Sequence, residues 1–368
     1  MQRFVAACAF GLLSVAVSSQ QTLGQATYQP GALAERTDRE AFLTPPSQEG
    51  VPDGFWRVQE GMDLFYLSAD PAESIGGDVD QAVPRDAILF VHGGPGFPPH
   101  EAPEGLRLLA EGRLIFLYHQ RGSGKSTRPF DRFPQASFPE NAAALIDELG
   151  MSQQIADIER IRRILGQERL TLVGHSFGGF IATLYAVEFP ERVEKLVLVS
   201  PAEMLSMPQS DGGMFGVIRD KLPEGEIRSE YDAFVQRYFS AFGLLFGMSE
   251  AELVALSREF AGFYTMAVEA QGLTTTGAPE GYDSGFLPFG VYFSLGMQYD
   301  HTAALSRIES PTLIVVGERD FAMTEAGLAS YVDNLSDASV MTLEGAGHFS
   351  FSDTPEEFAE VVRRFLDK

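Results

Sequence analysis

Leu170-Thr171-Leu172-Val173-Gly174-His175-Ser176-Phe177-Gly178-Gly179-Phe180-Ile181-Ala182 passes from a β-rich apolar run, through a glycine-rich turn, into a helix-like segment. The turn fits G-x-S-x-G, in which a tight strand-to-helix reversal lifts a serine hydroxyl above a sheet. Small residues two before and two after the serine let the strained backbone close on itself. The helix that follows aims its first amides at any negative charge developing on a substrate oxygen. A plain glycine turn closing a βα unit would carry the same five residues, but the strand before Ser176 and the helix after it supply the setting a nucleophile needs.

The same rhythm extends outward. Short apolar runs, Ala87 to Val91, Leu114 to Tyr118, Leu170 to Val173, Leu196 to Val199, Thr312 to Val316 and Val340 to Leu343, alternate with the helix-like segments Asn141 to Leu165, Gly178 to Phe189, Glu325 to Asn334 and Pro355 to Phe365. Near-continuous apolar strands separated by helices indicate an α/β fold with a mainly parallel sheet covered on both faces. Two earlier runs, Phe55 to Val58 and Asp63 to Leu67, flank a turn at Gly61 and suggest an opening hairpin. One interval breaks the pattern: between Ser200 and Pro311, Tyr231, Phe234, Val235, Tyr238, Phe242 and Leu245 recur at helical spacing. The organisation expected is a signal peptide over 1–26, an extended lead-in over 27–54, a core made of 55–200 and 310–368, and a helical cap inserted over 201–309, above the sheet edge where α/β folds bind ligands.

A serine hydroxyl attacks well only when a base takes its proton and a third group holds the base. In this arrangement the partners follow in the order Ser, Asp, His, and the chain supplies them so. Asp320 follows the run ending at Val316, and His348 follows the run ending at Leu343, within Gly345-Ala346-Gly347-His348-Phe349. Glu318 is the competitor for the acid. Of the six histidines only His348 stands after a late strand with small residues before it. His92-Gly93-Gly94-Pro95-Gly96 comes directly after an early strand, where uncovered amides can complete an oxyanion hole; the Gly94 and Phe177 amides are the expected donors, and His92 is expected to bond within the loop. Gly122-Ser123-Gly124-Lys125-Ser126 is no phosphate loop, because His119 stands where its first glycine must be. No metal-ligand spacing is present, His301 beside Asp300 reads as an ordinary loop residue, and no cofactor is implied.

The formal charge of −24 argues against a nucleic-acid partner, since phosphate affinity comes from clustered Lys and Arg. The only cysteine, Cys8, lies in an N-terminal stretch with Arg3, an apolar run from Phe4 to Val17 and small residues up to Ala26. That is the build of a signal peptide. The run falls short of the roughly 20 residues needed to span a bilayer, and Val5-Ala6-Ala7-Cys8 stands too early for a lipoprotein site. Cleavage after Ala26 would leave an exported chain without cysteine, excluding disulfides and thiol catalysis.

With these motifs in place the chain resembles the α/β-hydrolases and, within them, the proline iminopeptidases. That family's HGGPG stands at His92 to Gly96, and its DQRGxGxS segment appears as His119-Gln120-Arg121-Gly122-Ser123-Gly124-Lys125-Ser126, with the leading acid replaced. The segment Ala156 to Gly166 is also similar. The resemblance implies a serine hydrolase that releases an N-terminal proline or other apolar residue from short peptides. Two further departures bear on substrate: the family elbow GGSWGS is here Gly174 to Gly179 with His175 and Phe177, and Pro201-Ala202-Glu203-Met204-Leu205 replaces the family's continuation into the cap. Family carboxylates that receive the substrate amine therefore cannot be transferred; Glu203, Glu226, Glu230, Asp232, Glu252, Glu259 and Glu269 are the acids available. A carboxylesterase or lactone hydrolase would use the same triad on an ester substrate. A catalytically silent binding protein is the remaining alternative, and failure of a fluorophosphonate to label Ser176 would favour it.

Overall fold

A computed structural model describes residues 27–69, 87–134, 136–207, 213–273 and 283–368. The stretch read as a signal peptide, 1–26, lies outside the described residues. Ten strands are described: β1 (Phe55–Gln59), β2 (Met62–Ser68), β3 (Ile88–Val91), β4 (Ile115–Tyr118), β5 (Leu170–His175), β6 (Val193–Val199), β7 (Ser206–Met207), β8 (Tyr299–Asp300), β9 (Thr312–Gly317) and β10 (Ala338–Leu343). Eight form one sheet in the order β1-β2-β4-β3-β5-β6-β9-β10. β1 and β2 make the expected hairpin, with Arg57 opposite Asp63 and bonded to it at 2.8 Å, and β2 pairs antiparallel with β4. From β4 to β10 every pairing is parallel.

The apolar strands are continuous because both sheet faces are covered. Leu89 and Val91 of β3 join the core beneath the helices Phe138–Leu149, Met151–Ile164 and Phe177–Glu188, whereas Ile88 and Phe90 join the opposite core with Leu106, Phe358 and Val362. Period-2 alternation thus distributes one apolar run between two cores.

Two sequence expectations are corrected. The segment expected as one helix over Asn141 to Leu165 is two, split at Gly150, whose extended backbone (φ −70°, ψ 171°) ends the first and begins the second. A Cβ there would stand 2.5 Å from the Ile146 carbonyl oxygen, so the break needs glycine. The lead-in is not merely extended: it contains the helix Arg39–Leu43 and is anchored through Glu188, which accepts from Tyr28 Oη at 2.6 Å and from the amides of Gly31, Leu33 and Ala34 at 2.7, 3.0 and 3.1 Å. The inserted interval is closed at its base by the short antiparallel pair β7–β8.

Within the insertion, helices Gly213–Lys221, Glu226–Leu244 and Glu250–Glu269 share a core of their own around Ile218, Tyr231, Phe234, Phe263 and Ala267. Its last helix, Leu287–Leu295, instead packs down on Phe138–Leu149: a Cβ on Gly290 would meet Leu149 Cβ at 2.7 Å, and Ser294 Oγ accepts from Met151 N at 2.8 Å. Among the described residues no helix is long and apolar enough to cross a membrane, and no cluster of His, Cys, Asp and Glu suits a metal ion.

Arg121 is fully buried and forms a two-pronged pair with Asp157, both contacts at 2.6 Å, while its third nitrogen donates to Glu148 O at 2.7 Å. Arg160 shares the same carboxylate at 2.9 Å. This tie fastens the loop after β4 to the helix before β5. Asp157→Asn should leave two guanidinium groups in the interior without their counter-charge, lowering unfolding free energy by about 3–5 kcal/mol. Urea midpoints at constant slope would measure it, and a change under 1 kcal/mol would contradict the role assigned to the pair.

Candidate active site

The parallel strands deliver their C-terminal ends to one edge, and their loops gather there. Ser176 follows β5 with φ 53° and ψ −122°, a conformation that costs a residue with a side chain of order 1–3 kcal/mol. The surrounding backbone imposes it: Ser176 N donates to Val199 O, and Ser176 O accepts from Gly179 N and Ala202 N, all at 2.9 Å. The flanking glycines leave no space for substitution. A Cβ on Gly174 would lie 2.7 Å from Gly178 O, and one on Gly178 would collide with the Val91 carbonyl of β3.

The loop after β3 lies directly against the serine, since a Cβ on Gly93 would stand 2.9 Å from Ser176 Cβ. His92 locks this loop to the one after β4. Its Nε2 accepts from Gln120 N at 3.0 Å, Gln120 Nε2 donates to His92 O at 2.8 Å, and Gly96 N donates to Gln120 Oε1 at 3.1 Å. Its Nδ1 lies 2.9 Å from Gly93 O. Burial, together with the nearby His119, pushes the His92 imidazole down to about 3, consistent with a structural group rather than a proton carrier. Phe177 opens its helix, so its amide has no acceptor within that helix. The Gly94 amide likewise finds no backbone acceptor among the described residues.

His119, which stands where the resembled family has an acid, is an interior hinge pin: its Nδ1 accepts from Lys125 N at 3.0 Å and its Nε2 faces Pro99 O at 3.2 Å. Only a neutral ring protonated at Nε2 satisfies both. Burial holds it neutral by pushing it down to about 4.

His348 Nδ1 stands 3.0 Å from Asp320 Oδ2, with both side chains nearly enclosed. A carboxylate only accepts, so Nδ1 carries a proton, and the neutral ring in that tautomer offers its lone pair at Nε2, the form a general base requires. Burial pushes the Asp320 carboxyl up, but His348, the nearby Ser200 hydroxyl and the Ala322 amide outweigh it, and the group titrates below the usual carboxylate value. The Ser200 hydroxyl is buried and makes no hydrogen bond of good geometry among the described residues. Glu318 is directed elsewhere: its carboxylate accepts from Gly345 N at 2.9 Å, bracing the histidine loop from outside. Two main-chain bonds, Glu318 N to Leu343 O at 3.0 Å and Arg319 N to Ala346 O at 2.8 Å, keep the acid and histidine loops together.

The insertion roofs these loops. Tyr264 has its ring centroid 5.9 Å from Phe321 and 6.4 Å from His348, and Leu273 packs against Gly347. Four of the seven acids considered from the sequence have other duties. Glu203 caps the helix Glu325–Val332 through Thr324 N, Asp232 pairs with Arg219 at 2.8 Å, Glu252 closes the Ser249 capping box, and Glu259 pairs with Arg237. Glu226, Glu230 and Glu269 are exposed. A buried acid missed in the sequence is Glu250, bound to Arg128 and accepting from Phe286 N at 2.8 Å. It gives no sequence signal, since it begins a helix as an ordinary first-turn acid would.

Sheet order, the strained serine after β5, the acid after β9 and the histidine after β10 define an α/β hydrolase. The sequence model of the α/β-hydrolase fold family matches residues 86–355, and the chain belongs to that family of hydrolases. It resembles the proline iminopeptidase of Lactobacillus delbrueckii subsp. bulgaricus, to which it is 27% identical over 303 residues, 78% of this chain and 92% of that protein. Among solved structures, VinJ matches with a TM-score of 0.54 at 20% identity, over 86% of this chain and 98% of VinJ. The esterase EaEST from Exiguobacterium antarcticum matches with a TM-score of 0.53 at 18% identity, over 86% of this chain and all (100%) of the esterase. At those identities the structural likeness speaks for the fold alone.

Proposed function

We propose that the protein is a serine hydrolase working through an acyl-enzyme. Ser176 Oγ attacks the acyl carbonyl, His348 Nε2 takes its proton and returns it to the leaving group, Asp320 holds the imidazole, and the Gly94 and Phe177 amides receive the oxyanion. Water then enters by the same route, with His348 as its base. The observation that carries this reading is the His348 Nδ1 to Asp320 Oδ2 contact of 3.0 Å, on a loop whose His348 carbonyl meets His175 next to a serine whose strained backbone is held by main-chain hydrogen bonds.

For substrate, the similarity to proline iminopeptidases favours removal of an N-terminal proline or other apolar residue from a short peptide, under a cap whose rings suit an apolar group. The engagement of Glu203, Asp232, Glu252 and Glu259 with other partners favours, as a second reading, an esterase or lactone hydrolase that does not read an amine. A paired assay separates them: prolyl and alanyl arylamides with free amines, the same compounds N-acylated, and short-chain p-nitrophenyl esters. The first reading expects arylamide turnover that falls at least about a hundredfold on N-acylation, the consequence of losing a charge-assisted contact. Ester turnover without any preference for a free amine would overturn it.

A further inference from the structure

His175 stands between the strand glycine and the nucleophile, in the position that GGSWGS fills with glycine, and the triad makes no use of it. Its ring is buried. Nε2 lies 3.0 Å from the main-chain carbonyl oxygen of His348. A carbonyl only accepts, so His175 donates through Nε2–H, and in the neutral ring that burial favours its lone pair lies on Nδ1. That other edge faces the oxyanion loop: a Cβ on Gly93 would stand 3.3 Å from His175 Nδ1 and 2.9 Å from Ser176 Cβ. The ring also lies 4.8 Å from that of His348, 5.0 Å from Phe349 and 4.9 Å from Phe351. One side chain therefore touches the histidine loop and the oxyanion loop while being covalently next to the nucleophile.

We propose that His175 is a positioning residue that fixes the main chain of His348 relative to Ser176, complementing the hold of Asp320 on the His348 side chain. The need for such a strut follows from the geometry. An imidazole tethered only at Nδ1 can still swing about its own backbone, and displacing Nε2 by an ångström from the serine hydroxyl costs about a hundredfold in rate. Anchoring the carbonyl of His348 removes that freedom through a group rigidly joined to the elbow. Burial, with the neighbouring His348 adding to it, keeps the His175 ring uncharged, so the strut does not titrate through the working range and brings no competing positive charge beside the base.

The inference rests on the serine-hydrolase reading, and the test keeps the two apart by following covalent labelling of Ser176 with a fluorophosphonate, a reaction indifferent to the natural substrate. Failure of the unaltered protein to label would reject the hydrolase reading itself. His175→Phe keeps a ring but loses the donor, whereas His175→Gln places an amide N–H where Nε2 stands. With both variants folded by circular dichroism and melting temperature, the labelling rate and the arylamide or ester kcat are expected to fall about tenfold or more for His175→Phe, with KM within twofold. His175→Gln should recover to within about threefold of the unaltered protein. Unchanged labelling of His175→Phe would overturn the proposal. Equal losses in both variants would also overturn it, by showing that ring packing and not the hydrogen bond is what matters. If His175→Phe fails to fold, His175→Asn, which shortens the reach of the N–H donor, takes its place against His175→Gln with the same reading of outcomes.

Discussion

Ser176→Ala is expected to lower turnover by about five to six orders of magnitude, the loss seen when a triad nucleophile is removed and only binding and the oxyanion donors remain. The protein should stay folded, because the main chain of residue 176 is held by Val199, Gly179 and Ala202 through groups the substitution leaves intact. The backbone conformation gives the experiment a second arm. At φ 53° a Cβ is a strain that glycine does not carry, so Ser176→Gly should be as inactive as the alanine variant yet more stable by about 1 kcal/mol. Opposite signs for activity and stability would identify a residue kept for chemistry at the expense of the fold. Asp320→Asn should cost about ten-thousandfold by favouring the wrong imidazole tautomer, while Glu318→Gln, removing only a brace on Gly345, should leave the rate within about threefold. Retention of more than about 1% of the activity by Ser176→Ala would defeat the mechanism.

The elbow was legible because its glycines answer to local rules: the chain crosses itself within five residues, and a Cβ at 174 or 178 has nowhere to go. The mainly parallel sheet covered on both faces followed from the alternation of apolar runs with amphipathic ones, whereas the order of its strands came only with the fold. Other features depended on contacts distant in sequence and left no local mark. Asp320 and Glu318 follow the same strand two residues apart, and only the bonding of Glu318 to Gly345 and of Asp320 to His348 distinguishes them. Gly150 looks like an isolated glycine tolerated within a helix until Ile146 and Ser294 are seen crowding it. The lead-in has no periodicity to read because it is held by Glu188, more than 150 residues away, through three backbone amides and a tyrosine hydroxyl. His175 was visible as a letter of a motif, but its bond to the carbonyl of His348 depends on the meeting of β5 with the loop after β10.

Acidification from pH 6.5 to 4.5 should destabilise the protein steeply, through histidines that the fold keeps neutral. Burial pushes His92 down to about 3, His119 and His301 to about 4, and His175 well below its ordinary value. In the unfolded chain each would take a proton near pH 6.5. Below that pH the unfolded state binds more protons than the folded one, so stability is complete above about 6.5 and declines as pH falls. Each such histidine shifts the folding equilibrium up to about tenfold per pH unit, and with three or four acting together the slope near pH 5 should be about a thousandfold per unit. Two carboxyls oppose this: burial raises Glu250 and Asp353, so both accept protons more readily when folded. Relief of self-repulsion in a chain of formal charge −24 opposes it as well, but over exposed charges that salt screens. Urea midpoints at pH 7.5, 6.5, 5.5 and 4.5 in moderate salt would show which influence dominates, and a flat or rising profile toward acid would mean that repulsion does. His301 isolates one contribution, since its Nε2 has no hydrogen-bond partner among the described residues and its ring lies stacked 4.5 Å from Tyr299. His301→Phe should keep the packing, leave neutral stability almost unchanged and make the acid slope shallower by one proton.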